Sequence, residues 1–413
     1  MCPGARRAEQ DFARLVSQLG SSLYFERFLT EGYRSLPTRL RQRHPHLRCW
    51  HGVAGLRQGL AEFIGQPPEL PVSFFGQSQL VIRYAGECLF RQSQNVLTTD
   101  LEWPAYISAL QQLADLRGAH LHVAPLRDMF LQTQISSEDV VDVLKRHYQN
   151  ISGDGIFVSD ISYLGMRLPL KPFLDSIPSS QSPFIVIDGA QALNQRPVDL
   201  SVLGCDLYLA GTQKWFQSYH PLRIALVGRQ RHRSLIEHVR TQRKESSVFA
   251  DPLFAFCDAI ESGNFFASGE TVNIAGLIAA AGSLWQHQQL GDTILEKWHT
   301  LVSNAQESAP WLADSMWRPI CQADSLQSGI LLLRARNRVP VDYDKQARMT
   351  LHQFGITASV LAGKLVRLSM PCMPLPLNHI TLIMRALHHL ASGDSDLRHS
   401  DRDTNPSCFL VHV

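Results

Sequence analysis

The chain has 413 residues, 45% hydrophobic and 18% charged, the balance of a folded protein able to bury a large core. Lysine plus arginine number 39 against 37 for aspartate plus glutamate, so the formal charge of +2 gives no electrostatic case for nucleic acid or an anionic membrane. No run of about 18 apolar residues occurs, and the eight cysteines are scattered without a C-x-x-C pair or metal-ligand spacing.

These features predict reduced thiols in a cytoplasmic protein acting on a small molecule. The opening MCPGARRAEQDFARL lacks the apolar core of a secretory signal. The pairs His44/His46, His120/His122 and His388/His389 have no carboxylate or third ligand at helical spacing, so no metal site is expected.

Residues 9–20 show helical apolar spacing closed by Gly20. The basic passage SLPTRLRQRHPHLRCWHG is expected to cross the surface as a solvated face, with one of its arginines as an alternative substrate contact. GVAGLRQGLAEFIG, from Gly52, reads as an amphipathic helix, and after Pro68 strands and helices alternate. Val72-Ser-Phe-Phe75 leads through Gly76-Gln77-Ser78 into a helix, whose unpaired N–H groups and positive dipole end suit an anion. A short strand, Asn95 to Thr99, runs into Asp-Leu-Glu-Trp-Pro and a helix from Ala105; strand 119–126, helix 137–148 and strand 155–160 continue the alternation.

The chain is organised around PFIVIDGAQALNQRPVDLSVLGCDLYLAGTQKW, residues 183–215. The apolar run Phe184 to Ile187 stops at Asp188-Gly189, as a buried parallel strand does when it delivers a carboxylate to the carboxyl-end edge of a sheet. A second run, Asp206 to Ala210, reaches Gly211-Thr212-Gln213 and then Lys214, flanked by Trp215 and Phe216. One placed amine and one placed acid meet the needs of pyridoxal 5'-phosphate (PLP). That cofactor takes a lysine as a Schiff base and an acid beside its ring nitrogen, which keeps the pyridinium charged as an electron sink. Gln191, one turn beyond Asp188, can hydrogen-bond ring substituents, and Thr212 and Gln213 can reach phosphate oxygens. The residues alone equally allow an ordinary Asp-Gly turn and a surface lysine. Beyond Lys214, RIALVG reads as a strand running back across the sheet. From 305 to 391 a smaller α/β unit follows: strand SGILLLRA, helix YDKQARMTLHQFG, strand LVRLSM and helix NHITLIMRALHHLA, then a polar tail.

The stretch DGAQALNQRPVDLSVLGCDLYLAGTQKW resembles the signature region of class V aminotransferases, the branch of fold-type-I PLP enzymes that includes cysteine desulfurases and isopenicillin N epimerase-like proteins. The resemblance covers roughly residues 50–392 and departs at Gln213, where the family usually has histidine. It implies an α/β fold: a large PLP-binding domain over 51–304 with a mostly parallel seven-stranded sheet sandwiched by helices, and a smaller α/β domain over 305–392. Residues 1–50 form an N-terminal segment and 393–413 a tail. It assigns Gln77 and Ser78 to the PLP phosphate, Trp103 of DLEWP to stacking on the pyridine ring, and Ser162 of ISYLG to cofactor or substrate. Arg367 of KLVRLSM takes the grip on the substrate carboxylate. SGNFFASGETVNIAG is similar to a segment that reaches a partner's cofactor phosphate, which makes Thr271 that residue and the expected state a homodimer with shared sites.

The resemblance implies an enzyme in which an amine substrate displaces Lys214, with the freed lysine as base at Cα. An aminotransferase of specialised metabolism is the expectation; elimination at a C–S bond, epimerisation and decarboxylation are alternatives, and a non-catalytic binding module is a further one. A desulfurase that forms a persulfide on its own cysteine is disfavoured, because FGITASVLAGKLVR, the interval before Arg367, contains no cysteine.

Overall fold

Residues 2–20, 26–132, 134–178, 180–242, 251–263, 272–291, 293–313, 316–320, 323–336, 343–361 and 365–392 are described by a computed structural model. Thr271 and the tail 393–413 lie outside them. The chain divides into two units. The first holds residues 1–124, 142–160 and 170–293; the second holds 125–141, 161–169 and 294–413.

Short runs of β-branched and aromatic residues build the first unit's sheet. Its strands are β1 (Val72–Phe75), β2 (Asn95–Thr99), β3 (His120–Ala124), β4 (Gly155–Ser159), β5 (Phe184–Asp188), β6 (Leu207–Gly211) and β7 (Arg223–Val227). They lie in the order β1-β7-β6-β5-β4-β2-β3. The pairs from β3 through β2, β4 and β5 to β6 are parallel, and only β7 runs antiparallel to its neighbours β6 and β1. The sheet is thus mostly parallel and seven-stranded, as the resemblance implies. All residues of β1, β4, β5 and β6 are buried, which is why these strands read as continuous apolar runs and not as alternation.

Helix Ser78–Gln92 packs on this sheet through Val81, Ile82, Ala85 and Leu89, joined by Leu110, Leu113 and Ala114 of helix Pro104–Arg117. Parallel strands end together at their carboxyl edge, so β2, β4, β5 and β6 deliver the residues that follow them to one rim.

Two expectations change. The first helix starts at Pro3, six residues early, because proline suits the first helical position and Cys2 Sγ accepts from Ala5 N. The basic passage does not simply cross the surface. His44, Leu47, Cys49 and Trp50 are buried, and the Trp50 indole donates to Phe28 O at 2.9 Å. Apolar residues spaced between the arginines dock, while the arginines' chains stay at the rim.

The second unit has an antiparallel sheet of β8 (Trp317–Ile320), β9 (Ile330–Ala335), β10 (Ser359–Leu361) and β11 (Leu365–Ser369), ordered β10-β11-β9-β8. Helices Thr293–Ala313, Tyr343–Gln353 and Leu377–Ser392 accompany it. The expected boundary at 305 falls inside the first of these helices. β8, with Pro319 in it, and the three-residue β10 carry too little pattern to be read from sequence. Among the described residues, no helix is long and apolar enough to cross a membrane.

Candidate active site

Asp188 ends β5 at the carboxyl edge, 8% exposed, and its Oδ1 accepts from Ala190 N at 2.9 Å. The chain must turn sharply here under Tyr208: a Cβ at Gly189 would collide with the tyrosine ring and hydroxyl, so only glycine fits. Burial pushes the Asp188 carboxyl above the usual range, and the positive charge of Lys214 is the largest influence pulling it back. The neighbouring acid Asp160 is fully buried but neutralised by Arg196, which grips it with two nitrogens at 2.7 to 3.0 Å. Asp188 is left as the carboxylate on which the lysine acts.

Lys214 is half-buried on the loop that follows β6. That loop is tied down at each step. Asn194 Nδ2 donates to Trp215 O at 2.9 Å, Ser283 Oγ donates to Phe216 O, and Cys2 N donates to Gln217 O at 3.0 Å. Gln217 and Tyr219 are held in the left-handed region, with φ of 62° and 56°.

Gln191, 5% exposed, accepts from the Trp215 indole at 2.9 Å and so joins the Asp188 turn to the lysine loop. Thr212 is fully buried; its hydroxyl accepts from Ser218 Oγ at 2.6 Å and donates to Leu222 O at 3.5 Å. Its hydroxyl is committed to shaping the loop, not to an outside oxygen. Gln213 differs, for its Oε1 is buried without a hydrogen-bond partner.

Gln77 is exposed at the cap of helix Ser78–Gln92 and makes no side-chain capping bond; half-buried Ser78 bonds Tyr106. Trp103 follows β2 and is 45% exposed, a large apolar face on the same rim.

The residue before it, Glu102, has no role that the DLEWP motif by itself assigns. It is fully buried, accepting from Ser159 N at 3.0 Å, from Thr99 Oγ1 at 2.9 Å and from Ser159 Oγ, and it locks the end of β2 to the end of β4 under Trp103. Burial is the main cause that raises its pKa to about 7. An acid raised in the fold stabilises fully below its unfolded pKa and loses that contribution as pH rises through the folded value. Stability should therefore fall between about pH 4 and pH 7, by on the order of 3 kcal/mol in all. Glu102→Gln should flatten the melting-temperature profile over this window; a profile equally steep in the variant removes Glu102 as the cause.

Ser162 and Arg367 belong to the second unit. Ser162 is fully buried and its Oγ accepts from Met166 N at 3.1 Å, closing a turn. Arg367 on β11 is 6% exposed; Nη1 donates to Tyr163 O at 2.9 Å, Nη2 to Ser359 Oγ at 3.2 Å, and Nε is buried without a partner. Burial lowers its pKa to about 10, so it remains cationic at neutral pH.

A buried acid coupled to a lysine, an exposed indole on the same rim and an unpartnered amide oxygen on the lysine's loop are the features of an α/β cofactor enzyme. The profile of the aminotransferase class-V family matches residues 25–237, and the chain belongs to that family. It is 28% identical over 264 residues to a cysteine desulfurase of Klebsiella pneumoniae (strain 342), a match covering 62% of this chain. The chain spans 61% of that relative's length. Among solved structures, a complex of the cystine C–S lyase C-DES with cysteine persulfide superposes with a TM-score of 0.65 at 15% identity, covering 94% of each chain. Ureidoglycine-glyoxylate aminotransferase from Bacillus subtilis gives 0.60 at 17%, covering 87% of this chain and 89% of that one. At such identities these likenesses show the fold. The family's cofactor is PLP, and the residues present fit it: a buried acid for a ring nitrogen, an amine, an open aromatic face, and on the lysine's own loop a Gln213 amide whose Oε1 is unpartnered, so that nothing in the chain fixes which way the amide faces.

Proposed function

We propose that this protein transaminates an amino acid or amine with PLP held through Lys214, in a specialised metabolic pathway. The observation that carries this reading is the electrostatic pairing of Lys214 with Asp188, a buried acid at the end of a parallel strand. When bound, the cofactor supplies an aldehyde that takes up an amine and a ring that draws electrons from Cα.

The chain's own residues then divide the work. Lys214 Nζ would hold the cofactor through its aldehyde and, when free, would be the base placed to take a proton from the substrate's Cα. Asp188, whose carboxyl burial raises and the charge of Lys214 draws back down, is the acid that would face the ring nitrogen and keep a proton on it. Trp103 would cover the ring face, and Gln77, Ser78 and Gln213 would receive the phosphate. Arg367 would hold a substrate carboxylate, for which its unpartnered Nε is the available donor. Transamination asks for one base that both removes and returns a proton, which a single lysine can be. A homodimer is part of this reading.

Elimination at a C–S bond is the second reading, favoured by the match to a cysteine desulfurase. Cys49, Cys205 and Cys257 are buried, and burial pushes each thiol pKa up, so none is a ready nucleophile. Cys372 is exposed among the described residues, so Cys372→Ser should leave sulfur release unchanged where sulfur departs on the substrate itself. Incubating PLP-loaded protein with single amino acids, cystine included, separates the two. Transamination yields a keto acid and a yellow band that fades until a 2-oxo acid restores it. Ammonia and sulfur released with the band intact, and no acceptor present, would sink transamination.

A further inference from the structure

Arg223 has no part in the function proposed above, yet the sheet register places it at the site. It opens β7, with Phe75 of β1 as its partner on one side and Gly211 of β6 on the other. Phe75 immediately precedes the Gly76-Gln77-Ser78 turn, and Gly211 immediately precedes Thr212-Gln213-Lys214. The residue therefore stands between the turn that opens a helix N-terminus and the loop that carries the lysine.

Its guanidinium lies against Gly211. A Cβ at 211 would collide with Arg223 Nη1, so the glycine is what leaves the guanidinium room, and Gln213 Oε1 is 2.9 Å from the same point. Both Arg223 Nε and Gln213 Oε1 are buried without hydrogen-bond partners. Tyr106, which bonds Ser78, and Asp188 both feel the arginine's charge, so it acts on each side of the site.

A half-buried cation with an unused donor suits an anion that the chain itself does not provide. Gln77, Ser78 and Gln213 are all neutral, and a phosphate dianion held by neutral donors alone would be desolvated without a counter-charge. Resting on the PLP reading, we propose that Arg223 is the cation that holds the cofactor's phosphate, with Gln213 turning its amide to donate Nε2 beside it.

The test compares ligands that differ only in the phosphate. Cofactor-free wild type, Arg223→Gln and Arg223→Lys are titrated with PLP and with pyridoxal, reading the visible band, and inorganic phosphate is added as a competitor. Arg223→Gln should lose roughly ten- to hundredfold in PLP affinity, the range of hydrogen bonds to charged groups. Its affinity for pyridoxal should be unchanged, and phosphate should no longer compete. Arg223→Lys keeps the charge without the fork and should fall between. Ligand-free melting temperatures report whether each variant folds; should Arg223→Gln not fold, Arg223→Lys carries the comparison. Equal losses for PLP and pyridoxal, or no loss for either, overturn the proposal while leaving the PLP reading intact. A wild type that binds neither aldehyde overturns both.

Discussion

Lys214→Ala should abolish the yellow band that PLP gives with the wild type, and with it the bleaching of that band by borohydride. The reason is chemical. Lys214 is the amine whose charge acts on Asp188, the first of the influences that oppose the carboxyl's burial. Turnover of an amine substrate should fall by roughly 10²–10⁴-fold, the size of the contribution of a positioned proton-transfer group. The fold should survive, because Lys214 is only half-buried and its loop is held by Asn194, Ser283 and Cys2 through backbone groups of neighbouring residues. An unaltered band in the variant would place the attachment elsewhere and end the reading of this lysine. A colourless wild type would end the enzyme reading itself.

Asp188→Asn should separate stability from function. Asparagine keeps the shape and the acceptor for Ala190 N but removes the charge. Burial holds the Asp188 carboxyl above the usual range, so in the cofactor-free chain its ionisation at neutral pH opposes folding. That penalty is absent below the unfolded pKa and grows as pH rises towards the folded one. The variant's cofactor-free melting temperature at neutral pH should then match or exceed the wild type's. Activity should move the other way, by roughly 10²–10³-fold, the range for one preorganised electrostatic contact. A residue kept in spite of its effect on the empty fold is the expected signature of a functional group. A variant that loses melting temperature and keeps activity would make Asp188 a structural residue.

The mostly parallel sheet was legible because burial on both faces writes each strand as an unbroken apolar run, and Asp188 stood out as the residue that ends one. Lys214 was legible for the same local reason, as a lone cation just past another such run. Thr212 and Ser162 show the limit of that reading. Both have the right side chain for a ligand, yet one hydroxyl is committed to Ser218 and Leu222 and the other to Met166 N. A hydroxyl's partner is chosen by the three-dimensional turn around it, which residue type does not encode.

By itself, then, the sequence determined the α/β alternation, the acid and the amine, because a strand's burial and the turn that ends it are local properties of the chain. Only the tertiary structure decided that Arg223 lies between Phe75 and Gly211, and that Glu102 bonds Ser159 across two strands. Both depend on register between strands far apart in sequence, and register is set by how the sheet assembles. In the sequence Arg223 is merely the first letter of an apolar strand; the fold sets its charge against Gly211, at the start of the loop that carries Lys214.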